Sequence, residues 1–74
     1  MKPLTNRQTQ TIMLLMQGHS MASAGKVMRL SVRTVRFHVE GAKKKMGAMT
    51  IAQLVAQFIF THQIGNDLKV EEAA

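Results

Sequence analysis

The sequence predicts an all-α domain of four short helices, and three observations support this fold class. Glycine, serine and threonine residues interrupt the chain at intervals at which short helices begin and end. Between these breaks, apolar residues recur with a spacing of three and four, which is the period of a helix. No segment sustains the strict alternation that a half-buried strand requires. With 74 residues, the chain has room for one domain with a modest core.

The first helix is predicted from the residues at its two ends. Thr5 and Gln8 have the spacing of a capping box, in which each side chain accepts a hydrogen bond from the backbone of the other. Gly18 suits the left-handed residue that follows a helix C-terminus. The inner face of this helix is predicted to contain Ile12, Leu15 and Met16.

The second helix is expected to follow Ser20, which can accept a hydrogen bond from its first turn. Its inner face is predicted to contain Ala24, Val27 and Met28. Gly25 lies beside this face, and a glycine inside a helix usually marks the close approach of another backbone. We expect that neighbour to be the third helix.

Two further helices complete the domain. Ser31 can cap the third helix and Gly47 can end it, while Thr50 can cap the fourth. The apolar set of the fourth helix is Ile51, Leu54, Val55, Phe58 and Ile59. The sequence therefore predicts one domain over residues 1–64 and a polar, flexible tail over residues 65–74.

The predicted third helix has two chemically different faces. Its inward stripe consists of Val32, Val35, Val39, Ala42 and Met46. Its outward face consists of Arg33, Phe37, Glu40 and Lys44, with Arg36 at the margin. Because a phenylalanine among exposed charges does nothing for folding, we expect a binding partner to cover it.

The positive charge of the chain is concentrated on and near this helix. Seven of the ten basic residues lie between positions 26 and 46, where Glu40 is the one acidic residue. A run of charged residues alone more often indicates a solvated helix face than a binding site. The arrangement of the residues on the helix must therefore distinguish the two. Arginine can donate two hydrogen bonds to guanine in the DNA major groove, and an apolar group can contact the thymine methyl. The second helix, a short turn through Arg29 and Leu30, and the third helix also have the spacing of a helix-turn-helix.

Four spaced motifs along the chain carry a family resemblance. They are Leu4-Thr5-x-Arg7, Gly18-x-Ser20, Leu30-Ser31-x-x-Thr34-Val35-Arg36-x-His38-Val39 and Lys45-Met46-Gly47-Ala48. Together they resemble the LuxR/GerE-type helix-turn-helix domain of bacterial transcription regulators. The resemblance extends from Leu4 to about Phe60 and implies a four-helix DNA-binding module that dimerises through its fourth helix. It also implies base reading at Arg36, Phe37 and Glu40, and phosphate contacts at Thr34, Val35 and Lys45.

From the faces and the resemblance together, we predict two sets of DNA contacts. The base-reading set is Arg33, Arg36, Phe37 and Glu40. The phosphate-contacting set is Ser31, Thr34, Val35, Lys43, Lys44 and Lys45. For Glu40 a second hypothesis is that it orients Arg36, because Arg36 and Lys44 each lie four residues from it on the helix.

The fourth helix allows two interpretations. Its apolar stripe is wider than a shallow core requires, which favours a homodimer interface formed by Ile51, Leu54, Val55 and Phe58 and binding to a palindromic site. Alternatively, Phe58 and Phe60 simply complete the core. A distinct alternative function is that the chain pairs with another transcription regulator through this stripe and antagonises its DNA binding.

Enzymatic and membrane functions have little support. The chain has no cysteine, and His19, His38 and His62 are far apart, so we expect no metal site, no cofactor and no catalytic centre. The longest apolar stretch, residues 51–60, is too short to span a bilayer. The N-terminus lacks the apolar region of a signal peptide. We therefore expect a cytoplasmic protein that associates with the nucleoid when bound to DNA.

Overall fold

Four helices form the described part of the chain, residues 3–61, in a computed structural model. Helix α1 is Asn6–Met16, α2 is Met21–Met28 and α3 is Val32–Met46. The fourth, α4, is helical over residues 51–61. No strand occurs within residues 3–61, and the predicted all-α class is confirmed. The tail predicted over residues 65–74 lies outside the described residues, so the domain boundary stays a prediction.

The predicted ends of α1 are confirmed. The Gln8 backbone N–H donates to Thr5 Oγ1 at 3.1 Å, and the Thr5 N–H donates to Gln8 Oε1 at 3.0 Å. At the other end, Gly18 has a φ of +97°, and the His19 and Gly18 N–H groups donate to the Leu14 and Leu15 carbonyls. Capping box and glycine thus satisfy backbone groups that the helix itself leaves unpaired.

Hydroxyl side chains begin the other three helices, as predicted. Ser20 Oγ accepts from the Ser23 N–H at 3.1 Å, and Ser31 Oγ accepts from the Thr34 N–H at 3.1 Å. Thr50 Oγ1 accepts from the Gln53 N–H at 3.0 Å. A cap of this kind contributes about 1 kcal/mol to stability.

The turn between α2 and α3 is short, as predicted, and closely packed. Arg29 has a left-handed backbone with φ of +60°, and the Leu30 N–H donates to the Gly25 carbonyl at 2.8 Å. A Cβ atom on Gly25 would lie 2.6 Å from the Leu30 carbonyl oxygen and 3.5 Å from Val35 Cγ2. The close neighbour of Gly25 is therefore first the turn itself, and only second the predicted α3.

The core lies between α3 and the other helices. Its buried members are Ile12, Ala24, Val35, Val39, Ala42, Ala48, Leu54 and Phe58. Both α1 and α2 pack on α3. Three residues assigned to inner faces are instead exposed, namely Met16, Val27 and Val32. These helices contact the core through a narrow strip, and positions at the edge of each predicted stripe reach solvent.

Two polar residues in the interior were not predicted. Thr11 is fully buried, and its hydroxyl donates to the Arg7 carbonyl at 2.7 Å. Gln8 is buried where α1 crosses α3, and its Nε2 lies 2.6 Å from the position that a Cβ atom on Gly41 would occupy. The glycine in the middle of α3 therefore makes room for the side chain that caps α1.

These two glycines should respond differently to alanine. In Gly25→Ala, the new methyl group meets a backbone carbonyl that cannot move without opening the turn, so we expect a loss of about 2 kcal/mol. In Gly41→Ala, the methyl group meets the end of a flexible side chain, and the gain in helix propensity of about 1 kcal/mol offsets the disturbed cap. Urea denaturation followed by circular dichroism measures both. Equal losses would contradict the assignment of the close contact to the turn.

Candidate nucleic-acid interface

The two faces of α3 differ in the structure as they do in the sequence. Val35, Val39 and Ala42 are fully buried, and Met46 packs against the core. The predicted outward residues are all exposed: Arg33, Arg36, Phe37, Glu40 and Lys44. The separation of an anchoring face from an exposed cationic face is confirmed.

Phe37 is the main apolar feature of the outward face. Its exposed fraction is 73%. Its ring meets the ring of His38 edge to face, with centroids 5.8 Å apart and an angle of 66° between the planes. His38 is itself half-buried. This contact favours one orientation of Phe37 at the surface of α3.

The N-terminus of α3 presents polar groups to solvent. Ser31 Oγ and Thr34 Oγ1 lie 3.0 Å apart, and the exposed Arg33 follows Ser31 by two residues. A helix N-terminus carries unpaired N–H groups and a partial positive charge, so anions are favoured there. These are suitable surroundings for a phosphate group.

Val35 does not fit the predicted phosphate set. Its side chain is fully buried, and its backbone N–H donates to the Ser31 carbonyl at 3.0 Å. A residue whose N–H is already bonded and whose side chain fills the core offers nothing to a phosphate. The structure therefore assigns Val35 to the anchor of α3.

The three consecutive lysines near the end of α3 have different surroundings. Lys44 is exposed, and the structure shows no ion pair for it within residues 3–61. Lys43 Nζ lies 3.0 Å from Glu40 Oε2. Lys45 Nζ donates to the Pro3 carbonyl at 3.1 Å and so joins the start of the described chain to the end of α3. Each of these bonds uses one of the three N–H donors of its ammonium group and limits where Lys43 and Lys45 could make a further contact.

Glu40 is paired with a residue that was not its predicted partner. The hypothesis that it orients Arg36 required a contact four residues away, and the observed contact is with Lys43, three residues away. The side chain of Lys43 is only 19% exposed, so packing already restricts its methylene groups. The ion pair with Glu40 therefore costs Lys43 little additional side-chain entropy. Arg36 and Lys44 are exposed chains without that support.

The fourth helix divides its apolar residues between core and surface. Leu54 and Phe58, predicted to form a dimer interface, are buried in the core of the single chain. Ile51 is exposed and Val55 is half-buried. Phe58 thus completes the core, as one interpretation held, whereas Phe60 does not, with an exposed fraction of 65%. The exposed face of α4 consists of Ala52, Gln53, Ala56 and Phe60.

Beside this face lies a shallow open depression that the sequence did not indicate. It is lined by Gln53, Ala56, Gln57, Phe60 and Thr61. The Gln57 Oε1 atom is shielded from solvent and has no hydrogen-bond partner among residues 3–61. A buried acceptor of this kind is costly to leave unpaired.

Residues 3–61 contain no group of three or more histidine, cysteine or acidic residues that could hold a metal ion. None of the helices there is long and apolar enough to cross a membrane. His19 Nδ1 lies 2.7 Å from Ser23 Oγ, which is a local contact within the first turn of α2.

Two short helices joined by a tight turn, the second with an exposed basic face, define a helix-turn-helix domain of the DNA-binding class. The profile of the GerE family, described as bacterial regulatory proteins of the luxR family, matches residues 2–58. The chain belongs to this family, and the resemblance found in its motifs is confirmed. It is therefore a DNA-binding regulatory domain. Comparison with curated proteins gave no match, and comparison with solved structures gave none either.

Substitutions on the two faces of α3 should differ in their effect on the free energy of unfolding. Replacing the exposed Phe37 by alanine should change the free energy of unfolding by no more than about 0.5 kcal/mol. Replacing the buried Val39 by alanine leaves a cavity and should cost about 2 kcal/mol. Thermal and urea denaturation of the two variants measure this difference. A large loss on Phe37→Ala would show that the ring supports the fold.

Proposed function

We propose that the protein regulates transcription by sequence-specific binding to double-stranded DNA, with α3 lying in the major groove. One observation carries the proposal: Arg33, Arg36 and Phe37 are exposed on a helix that is anchored on its opposite side by fully buried residues. The groove accommodates one helix, and a helix anchored along its other side presents these side chains together. Its place of action would then be the nucleoid.

The chemistry of the outward residues supports a division of roles. The Arg33 and Arg36 side chains can each donate two hydrogen bonds to guanine O6 and N7. The Phe37 ring can contact a thymine methyl group. Ser31, Thr34 and Lys44 lie nearer the two ends of α3, where contacts with phosphates would fix the position of the helix.

DNA binding is tested by comparing two variants that each remove one positive charge from α3. Arg36→Ala should weaken binding to the preferred duplex by about tenfold and relax the preference at one base pair. Lys44→Ala should weaken binding to all duplexes alike and reduce the slope of log K against log salt by about 1. Selection of duplexes from a random pool and titrations at several salt concentrations measure these effects. If the wild type retained no duplex in a salt-dependent manner, the proposal would be wrong.

The protein further acts, in this proposal, as a homodimer on a palindromic site. Leu54 and Phe58 are occupied by the core, so the interface would involve the exposed face of α4 and its neighbour Ile51. Ala52 and Ala56 are small and allow two helices to approach closely, while Phe60 offers the apolar area to be buried. A two-fold axis there would place two copies of α3 on successive turns of the same DNA face.

The dimer is tested by replacing Phe60 with aspartate. The variant should remain folded, sediment as a monomer at concentrations at which the wild type is a dimer, and lose the preference for paired half-sites. Met49→Asp is the matched control, because Met49 is 80% exposed but lies before α4. Analytical ultracentrifugation with and without a palindromic duplex measures both. Equal sedimentation of the two variants would contradict the interface.

The same face of α4 admits the alternative function, in which the chain pairs with a different regulator and keeps it from DNA. The exposed Phe60 is the observation that favours it. A wild type that binds no duplex, and that releases a LuxR-type regulator from its operator in a Phe60-dependent manner, would establish the antagonist and refute direct DNA binding.

A further inference from the structure

We propose that Glu40 and Lys43 act together to recognise a single C·G base pair. In this arrangement the Glu40 carboxylate accepts a hydrogen bond from the cytosine amino group, and the Lys43 ammonium donates to guanine O6 of the same pair. The inference rests on the proposed function, namely that α3 lies in the major groove. It assigns to Lys43 a base rather than the phosphate that the sequence predicted.

The geometry of the ion pair is the first argument. Lys43 Nζ lies 3.0 Å from Glu40 Oε2. The side chain of Glu40 is 55% exposed and that of Lys43 is 19% exposed, so the lysine is the held partner and the carboxylate faces outward. Within residues 3–61 the structure shows one hydrogen bond to this carboxylate, which leaves further lone pairs available.

Electrostatics give the second argument. An acidic side chain on a face that approaches phosphates is repelled unless a cation compensates it. Lys43 supplies that cation. Arg36 and Lys44 are therefore not needed to pair with Glu40, and their positive charges can interact with DNA. The pair as a whole is neutral, so it adds little to general attraction for DNA and acts mainly through the base that it meets.

The edges of the bases supply the third argument. In the major groove cytosine offers only its N4 amino donor, whereas adenine places the N7 acceptor beside its amino group and would repel a carboxylate. Guanine offers O6 and N7 as acceptors, which suit an ammonium group. Cytosine N4 and guanine O6 are hydrogen-bonded to each other and so lie about 2.9 Å apart. Both groups therefore lie on the major-groove edge of one base pair, within reach of two side chains that contact each other.

A purely structural role for the pair is the competing explanation. An exposed ion pair three residues apart on a helix stabilises it by only a few tenths of a kcal/mol. Such a role predicts a small change in melting temperature when Glu40 is altered and no change in the preferred DNA sequence. The two explanations therefore differ in a measurement of base preference.

The experiment is selection of duplexes from a random pool with the wild type and Glu40→Gln, followed by titration of the selected duplex and its single-base variants. The wild type should prefer cytosine at one position of each half-site by about tenfold. Because glutamine pairs best with adenine, Glu40→Gln should shift that position toward adenine. It should also bind random duplexes more tightly, because it has lost a negative charge. Lys43→Gln should lose the cytosine preference as well.

Two controls isolate base recognition from charge and from folding. Glu40→Gln combined with Lys44→Gln restores the net charge of the wild type and should still lack the cytosine preference. Phe37→Ala should keep it and change a neighbouring position. If Glu40→Gln selected the same motif as the wild type, or if the wild-type motif had no cytosine that depends on Glu40, the inference would be overturned. If the wild type selected no motif at all, the proposed function itself would fail.

Discussion

The burial of one side of α3 is the constraint on which the other features of this domain depend. Val35, Val39 and Ala42 are packed by residues from α1, α2 and α4, including Ile12, Ala24, Leu54 and Phe58. In a chain this short the core is small, and three of its eight buried members come from α3. Each of the three remaining helices therefore packs against α3. The outward face of α3 makes no contribution to the core. The exposed Phe37 and the basic residues of this face are tolerated because the stability of the domain does not depend on them.

The turn between α2 and α3 adds a second constraint, which acts on angle rather than burial. Arg29 adopts a left-handed backbone, and the Leu30 carbonyl lies so close to Gly25 that a side chain there has no space. The Leu30 N–H bond to the Gly25 carbonyl closes the turn from the other direction. Three adjacent features thus set the direction in which α3 leaves α2, and hence the angle at which its outward face would enter a groove.

Much of the fold could be predicted from the sequence because its signals are local. A capping hydroxyl acts on an N–H three residues away, and Gly18 and Gly47 end helices through their own backbone angles. The errors concern contacts between helices or choices among neighbours. Nothing near Gly41 in sequence indicates that Gln8 covers it. Three basic residues, Arg36, Lys43 and Lys44, lie three or four residues from Glu40 in sequence. The structure pairs Glu40 with Lys43, the one whose side chain is largely buried. Leu54 and Phe58 were predicted to form an interface because the sequence does not show that they pack against residues of the other three helices.

The bond from Lys45 to the Pro3 carbonyl has a consequence for the first described residues. It ties the beginning of the described chain to the last turn of α3, across a separation of 42 residues in sequence. Because Leu4 also packs against the core, the chain at this point contacts the domain in two places, one of them the last turn of α3. Conversely, a DNA phosphate that drew the Lys45 ammonium away would loosen the attachment of that segment. A phosphate contact and the attachment of the first described residues would in this way depend on the same ammonium group.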